Sequence, residues 1–276
     1  MKLKEFLLPI ALFFIFSAIA IALWLTTGKL FYLFNFLYIG GFVSAGTALS
    51  VAGFRHSRLV VQLGVGLYML LYLGLMQREN MQLEGFFYYL FLGLFQAAVI
   101  HYFVAKIAGP VLFGRGWCGY ACWTAAVFDF LPYKSGGPRI KKLSGIRYIM
   151  FAASLCLVAS LFLFESADIG ATMFLLFVAG NIFYYITGIV LAFKLKDNRA
   201  FCKYICPVTV FLKPASYFSL LRVKVNEDKC IGCGKCKRVC PMNVDITDAK
   251  RNRENGTECI LCFECIKACP EKAVKI

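Results

Sequence analysis

Long apolar runs fill the first two thirds of the chain, and their lengths match a bilayer. Residues 6–25 form the first run, preceded by Lys2 and Lys4. Further runs cover about 31–53, 59–76, 86–108, 146–164 and 171–193. Each approaches the ~20 residues that an α-helix needs to cross the hydrocarbon layer, with 59–76 the shortest. A segment in lipid must satisfy its own backbone polar groups, and a helix does so. The pattern therefore predicts about six transmembrane helices. The first run has the charge order of a signal peptide, with Ser17-Ala18-Ile19-Ala20 as a weak processing site. It continues through Leu25, beyond the usual signal core, so a retained helix is expected.

The runs are punctuated. Gly109-Pro110, Gly114, Gly116 and Gly119 interrupt helical packing after the fourth run, and Ser135-Gly136-Gly137-Pro138 reads as a linker. Residues 123–133 fit a short interfacial helix anchored by Trp123, Phe128, Phe130 and Tyr133. From residue 222 the apolar runs stop. Val223-Lys224-Val225 and Ala273-Val274-Lys275-Ile276 read as a pair of short strands bracketing cysteine-rich turns. The expected fold is a membrane all-α helical bundle over residues 1–221, followed by an α+β dicluster ferredoxin-like domain over 222–276. So small a unit cannot rest on an apolar core alone, and bound metal should supply much of its folding energy.

Composition strengthens the membrane reading. The chain has 276 residues, 60% hydrophobic, with 28 Phe, 14 Tyr and only 15 acidic side chains, which excludes an ordinary soluble domain. Its formal charge of +15 is unevenly placed. Arg55 and Arg58 lie between runs two and three; Lys106, Arg115, Lys134, Arg139, Lys141, Lys142 and Arg147 lie at or between runs four and five; Lys194, Lys196 and Arg199 follow run six. The alternate loops carry Lys29, then Arg78 against Glu79 and Glu84, then Glu165 and Asp168. Positive-inside bias thus predicts a multi-pass protein of the cytoplasmic (inner) membrane, with both termini and the cysteine-rich module in the cytoplasm. Residues 222–276 hold twelve Lys and Arg against eight Asp and Glu, a local charge of +4 that suits an anionic lipid surface or an acidic redox partner. No nucleic-acid motif accompanies the charge, so nucleic acid is not an expected partner.

The chemistry lies in the cysteines. Cys230, Cys233, Cys236 and Cys240 precede Pro241, and Cys259, Cys262, Cys265 and Cys269 precede Pro270. C-x2-C-x2-C-x3-C-P twice is the bacterial pattern for two [4Fe–4S] clusters, with the fourth cysteine of each run serving the other cluster. The expected ligand sets are Cys230, Cys233, Cys236 and Cys269 for one cluster, and Cys259, Cys262, Cys265 and Cys240 for the other. Structural zinc does not call for this doubled spacing. Disulfides do not suit a reducing cytosol.

Four further cysteines form two C-x3-C pairs, Cys118 with Cys122 and Cys202 with Cys206, each after the cytoplasmic end of a predicted span. Spacing of i and i+4 can aim both thiols of a pair at one object. Arg115 and Lys203 favour thiolate character nearby. Three readings stay open: a third metal or iron–sulfur centre shared by both pairs, a dithiol–disulfide couple, or packing. Cys156 stands alone in an apolar run and reads as a packed thiol. Among polar positions in the runs, namely Gln62, Gln96, His101, Asn181, Tyr184 and Tyr185, only His101 is kept as a candidate for proton handling. A haem held by His56 and His101 is the lesser reading of the two histidines.

Gly114-Arg115-Gly116-Trp117-Cys118 with Cys122, then Cys202-x3-Cys206-Pro207, then the paired ferredoxin signatures, resemble the membrane-bound ferredoxin-type proteins of the NapH, NosR and CcoG group. The resemblance covers roughly residues 86–276. It implies an electron-transfer component, in some relatives linked to quinol oxidation and in one branch to copper reduction. The family places Pro after both C-x3-C motifs, whereas this chain has Trp123 after the first. The expected function is electron transfer between a cytoplasmic redox carrier and a membrane quinone, quinol or partner oxidoreductase. The alternatives are a membrane reductase of a metal ion or small disulfide using the C-x3-C cysteines, and a redox sensor or assembly protein.

Overall fold

The computed structural model describes residues 6–54, 56–95, 98–133, 138–163 and 168–276. Lys2, Lys4, Arg55, Gln96, Lys134, Ser135, Gly136, Gly137 and Glu165, all used in the sequence argument, lie outside these residues. The described chain is mostly helical. Five helices are long and apolar enough to cross a membrane: Leu7–Thr27, Leu30–Val51, Ser57–Met76, Lys142–Leu163 and Ile169–Leu195. The first ends where Gly28 takes φ +70° and its N–H returns to the Trp24 carbonyl. That left-handed cap is open to glycine at little cost.

The fourth run departs from expectation. Instead of one helix over 86–108, it is broken into Leu83–Phe91 and Ala98–Phe113. The break follows from the turn at Leu92–Leu94: Gly93 has φ +68°, and the N–H groups of Leu92, Gly93 and Leu94 fold back onto Tyr88, Leu90 and Tyr89. The preceding segment is not a surface loop. Asn80 and every residue from Met81 to Phe87 are buried. Asn80 donates to the Met173 carbonyl at 3.0 Å, and the Ser154 hydroxyl donates to Glu84 at 2.7 Å. Ser154 lies midway along Ile146–Leu163, so Glu84 is inside the bundle rather than in the acidic loop where its charge suggested. Irregular backbone at that depth is tolerable because protein, not lipid, covers it.

Small residues let the helices close. A Cβ on Gly74 would fall 2.2 Å from Phe177, and one on Gly188 would fall 2.0 Å from Phe128. Phe177 and Phe128 are accordingly fully buried. Between membrane-length helices the gain from such contacts is close van der Waals packing, since lipid is as apolar as the rings themselves. In the C-terminal region Lys224–Val225 pairs antiparallel with Val274–Lys275, with Lys224 opposite Lys275. This region is no loose appendage. Met242, Val244, Ile246, Ile260 and Leu261 share one apolar cluster with Phe128, Tyr184, Phe201 and Leu212 of the helical body.

Candidate metal centres

The two ferredoxin-type arms repeat one backbone. Gly232 and Gly234 take φ +67° and +68°, and their counterparts Leu261 and Phe263 take +52° and +59°. Asn243 and Lys272, three residues after Cys240 and Cys269, also have positive φ. These left-handed positions bend each arm around its cysteines. One cavity is lined by Cys240, Cys259, Cys262 and Cys265 together with Met242, Ile246, Ile260 and Phe263. The Val244 N–H points at Cys240 Sγ from 3.3 Å. Four soft donors, an apolar wall and a backbone donor to sulfur fit a thiolate-held cubane. Burial pushes the Cys259 and Cys265 thiols up to about 12 each, so metal entry must displace their protons. Cys230 and Cys233 are electrostatic neighbours of Cys236 in the other arm.

The C-x3-C pairs form a second repeated structure. Gly116–Tyr120 and Ala200–Tyr204 are single helical turns beginning after Arg115 and Arg199. Each closes identically: Ala121 and Cys122 N–H return to the Trp117 carbonyl, as Ile205 and Cys206 N–H return to Phe201. Cys122 and Cys206 therefore sit just past their helices, not on a continuing helical face. The arginines cross between the turns. Arg115 donates to the Cys202 carbonyl at 3.4 Å, and Arg199 donates to the Cys118 carbonyl at 3.1 Å. The turns are thus clasped face to face. Cys206 has all three other thiols as electrostatic neighbours, and Cys202 has Cys118 and Cys122. Cys118 and Cys202 are buried. Burial pushes Cys202 up to about 11 and raises Cys206 further, despite the nearby guanidinium of Arg115.

The ferredoxin region rests on these turns through its second arm. Tyr120 Oη donates to the Leu261 carbonyl at 3.0 Å, and Gly119 lies so close that a Cβ would stand 2.3 Å from the Ile260 carbonyl oxygen. Glu258, the residue before Cys259, is the ionic hub of the contact. It accepts from Arg115, from Arg139 at 2.9 Å and Arg147 at 3.2 Å, and pairs with Lys213 at 3.0 Å. Burial pushes its carboxyl up, but the four cations outweigh that and hold it at about 2. Arg139 and Arg147 also donate to the Lys203 carbonyl, inside the second C-x3-C turn. Asp129 pairs with Arg199 at 2.6 Å and with Arg58 at 2.8 Å, and Arg58 donates to the Gly119 carbonyl. Lys203, expected to act on the thiols, instead pairs with Asp197 at 2.6 Å.

Other sequence candidates find plainer roles. Gln62 accepts from Arg58, and Asn181 accepts from Trp123 Nε1 while donating to the Phe177 carbonyl. Tyr184 stacks obliquely on Phe201, and Tyr185 packs edge-on to Phe128. Trp123 and Phe128 are buried in the body rather than anchored at an interface, and only Phe130 is exposed. Cys156 faces outward rather than into packing. The His101 ring meets Trp117 edge-on at 4.9 Å, with its Nε2 lacking a partner among the described residues. His56 is exposed beside Phe54, so the described contacts give the two histidines different neighbours. Sequence reasoning overlooked Arg199, Glu258 and Asp129. Arg199 was legible: Arg-x-aromatic-Cys-x-Tyr-x-Cys occurs at 115–122 and again at 199–206.

Comparison with known proteins converges on this architecture. Residues 222–270 match the 4Fe-4S dicluster domain family, and residues 95–142 with 170–226 match a 4Fe-4S binding domain family. The chain is a membrane-associated protein of the 4Fe–4S ferredoxin type. It carries two iron–sulfur clusters. It is 28% identical to the uncharacterized protein MJ0750 of Methanocaldococcus jannaschii over 167 residues, 55% of this chain and 68% of that protein. It is 31% identical to the methylamine utilization ferredoxin-type protein MauN of Paracoccus denitrificans over 137 residues, 46% of this chain and 48% of that one. A shorter stretch of 48 residues is 46% identical to M. jannaschii MJ0749 and spans 17% of this chain and 20% of that protein. No solved structure matches.

Proposed function

We propose that this protein relays single electrons between a soluble cytoplasmic carrier and a membrane-side partner, a quinone or a membrane oxidoreductase. Cys230, Cys233, Cys236 and Cys269 hold the outer cluster; Cys259, Cys262, Cys265 and Cys240 hold the inner one. Cubanes of this kind exchange one electron at a time. The observation that carries the reading is the seating of the second arm. Its Ile260–Leu261 segment lies directly on the first C-x3-C turn, whereas Cys233 and Ile231 of the first arm are exposed. The outer cluster is therefore placed for a soluble partner, and the inner cluster for transfer into the helical body. Positive-inside bias orients the clusters to the cytoplasm.

The reductase reading is less well supported, because Cys118 and Cys202 are buried and Cys122 and Cys206 only partly exposed, which leaves a small acceptor little open face. The deciding experiment reconstitutes the full chain in quinone-containing vesicles and supplies a soluble reductant from the cluster side. Cluster-dependent quinone reduction is expected. Reduction of added metal ion or disulfide without quinone turnover would favour the reductase. Neither activity with both clusters present would favour the sensor or assembly role.

A further inference from the structure

The C-x3-C pairs take no part in the two-cluster assignment, and the relay reading leaves unexplained why four thiols and several buried cations meet at one place. Three observations bear on them.

The first is symmetry. Arg115-Gly116-Trp117-Cys118-Gly119-Tyr120-Ala121-Cys122 and Arg199-Ala200-Phe201-Cys202-Lys203-Tyr204-Ile205-Cys206 fold into the same closed turn. Each arginine binds the carbonyl of the other turn's first cysteine. This reciprocal clasp holds two equivalent donor pairs against each other. Packing alone gives no reason for both turns to present cysteine at both equivalent positions.

The second is spacing. Among the described residues, no three His, Cys, Asp or Glu side chains approach closely enough to hold a single metal ion. That holds equally for the eight ferredoxin-type cysteines, whose family match is to cubanes. The absence of a single-ion site among the described residues therefore does not count against a polynuclear cluster, and the four thiols are electrostatic neighbours of one another.

The third is charge. Among the described residues around the two clasped turns, Arg58, Lys106, Arg115, Arg139, Arg147, Arg199, Lys203 and Lys213 meet Glu258, Asp129 and Asp197, an excess of five positive charges. Lys106, Arg115, Arg147 and Arg199 are at most 6% exposed. Lys106 has no ion pair among the described residues; its ammonium lies 4.3 Å from the centre of the Trp117 ring and has Cys118, Cys122 and Cys206 as electrostatic neighbours. Burying a cation without a compensating anion is strongly unfavourable. Neutral thiols or two disulfides would add no negative charge to offset this. A cubane held by four thiolates is dianionic in its oxidised form, and two of them, this one and the neighbouring inner cluster, would take up nearly all the excess.

We infer that Cys118, Cys122, Cys202 and Cys206 together ligate a third iron–sulfur cluster of the [4Fe–4S] class, with Lys106, Arg115 and Arg199 as its buried counter-ions. This deepens the relay reading, giving the electron a station between the inner cluster and the helices. The test does not depend on turnover. The full chain, purified anaerobically and reconstituted with iron and sulfide, should contain about twelve iron per chain against about eight for two cubanes. Cys118→Ser, Cys122→Ser, Cys202→Ser and Cys206→Ser should each lose about a third of the iron while two clusters remain visible by EPR; Cys156→Ser should lose none. Lys106→Met should keep the full iron content and lower the reduction potential of one cluster only. A wild-type content of about eight, or a disulfide between any two of the four cysteines in the reconstituted protein, would overturn the inference whether or not the variants fold. Full iron content without quinone turnover would leave it standing and remove the relay reading instead.

Discussion

The two cysteine arms wrap the same turns in opposite surroundings. In the first arm the left-handed positions are Gly232 and Gly234, and the residue before the first cysteine is Lys229, exposed. In the second they are Leu261 and Phe263, and that residue is Glu258, buried among four cations. A non-glycine residue in the left-handed region costs roughly 1–2 kcal/mol. The second arm bears that cost at the two positions where the first arm has glycine, while Asn243 and Lys272 match between the arms. Leu261 offsets it by burying its side chain in the cluster shared with the helical body. One repeat is built to reach solvent, and its copy is built to dock. The same ligand motif can thus face different surroundings, because the residues between the cysteines decide what each arm touches.

The largest test of this asymmetry is charge removal. Glu258→Gln leaves Arg115 and Arg147 buried without their anion, and should destabilise docking by about 3–5 kcal/mol. Limited proteolysis in detergent should then cut between the body and residues 222–276. The exposed pair of the first arm, Lys237 with Asp245 at 2.9 Å, offers the matching control. Asp245→Asn should change stability by less than about 1 kcal/mol, measured by the same unfolding curve. Comparable losses from both variants would abolish the distinction between the arms.

Backbone contact gives the next effect. Gly119→Ala puts a methyl group into the Ile260 carbonyl and should cost about 1–3 kcal/mol by overpacking, slowing transfer from the inner cluster as well. Gly232→Ala meets nothing within 4 Å and should cost only the left-handed strain, about 1–2 kcal/mol, with transfer intact. After the clusters are stripped, thiol alkylation followed by peptide mass spectrometry should label exposed Cys233 well before Cys265, which is 9% exposed. Equal rates would mean that the second arm is not seated without metal. The smallest effect belongs to the solvent face: Lys235→Ala should slow reduction by an acidic soluble carrier by less than about tenfold, and added salt should shrink the difference.

Much of this was legible in the chain, for unequal reasons. Metal coordination is the most legible because cluster ligation imposes a spacing that few other structures share. Membrane-length helices were legible because hydrocarbon thickness fixes their length, and five of the six runs give them. The fourth run misled because apolar content is the same in a straight helix and in two pieces, and its break depends on a single Gly93. Glu84 misled for a related reason. Its charge suggested a loop, but a serine midway along another helix supplies its partner. Glu258 was beyond sequence reasoning, since its arginine partners are 143, 119 and 111 residues away. The paired Arg-x-aromatic-Cys turns were legible as well, but only Arg115 was linked to its cysteines, while Arg199 read as loop charge.

Freeze-quench EPR resolves the order in which the clusters fill. The full chain is reconstituted in lipid nanodiscs and mixed with a protein-sized soluble reductant, with Cys233→Ser and Cys262→Ser used in turn to mark the signal of each cluster. The outer cluster, on Cys230, Cys233, Cys236 and Cys269, should be reduced first, and the inner cluster should gain its electron from it. Disturbing the outer cluster should therefore slow reduction of the inner one, and not the reverse. Reduction of the inner cluster at an unchanged rate when the outer one is disturbed would rule out transfer through the outer cluster.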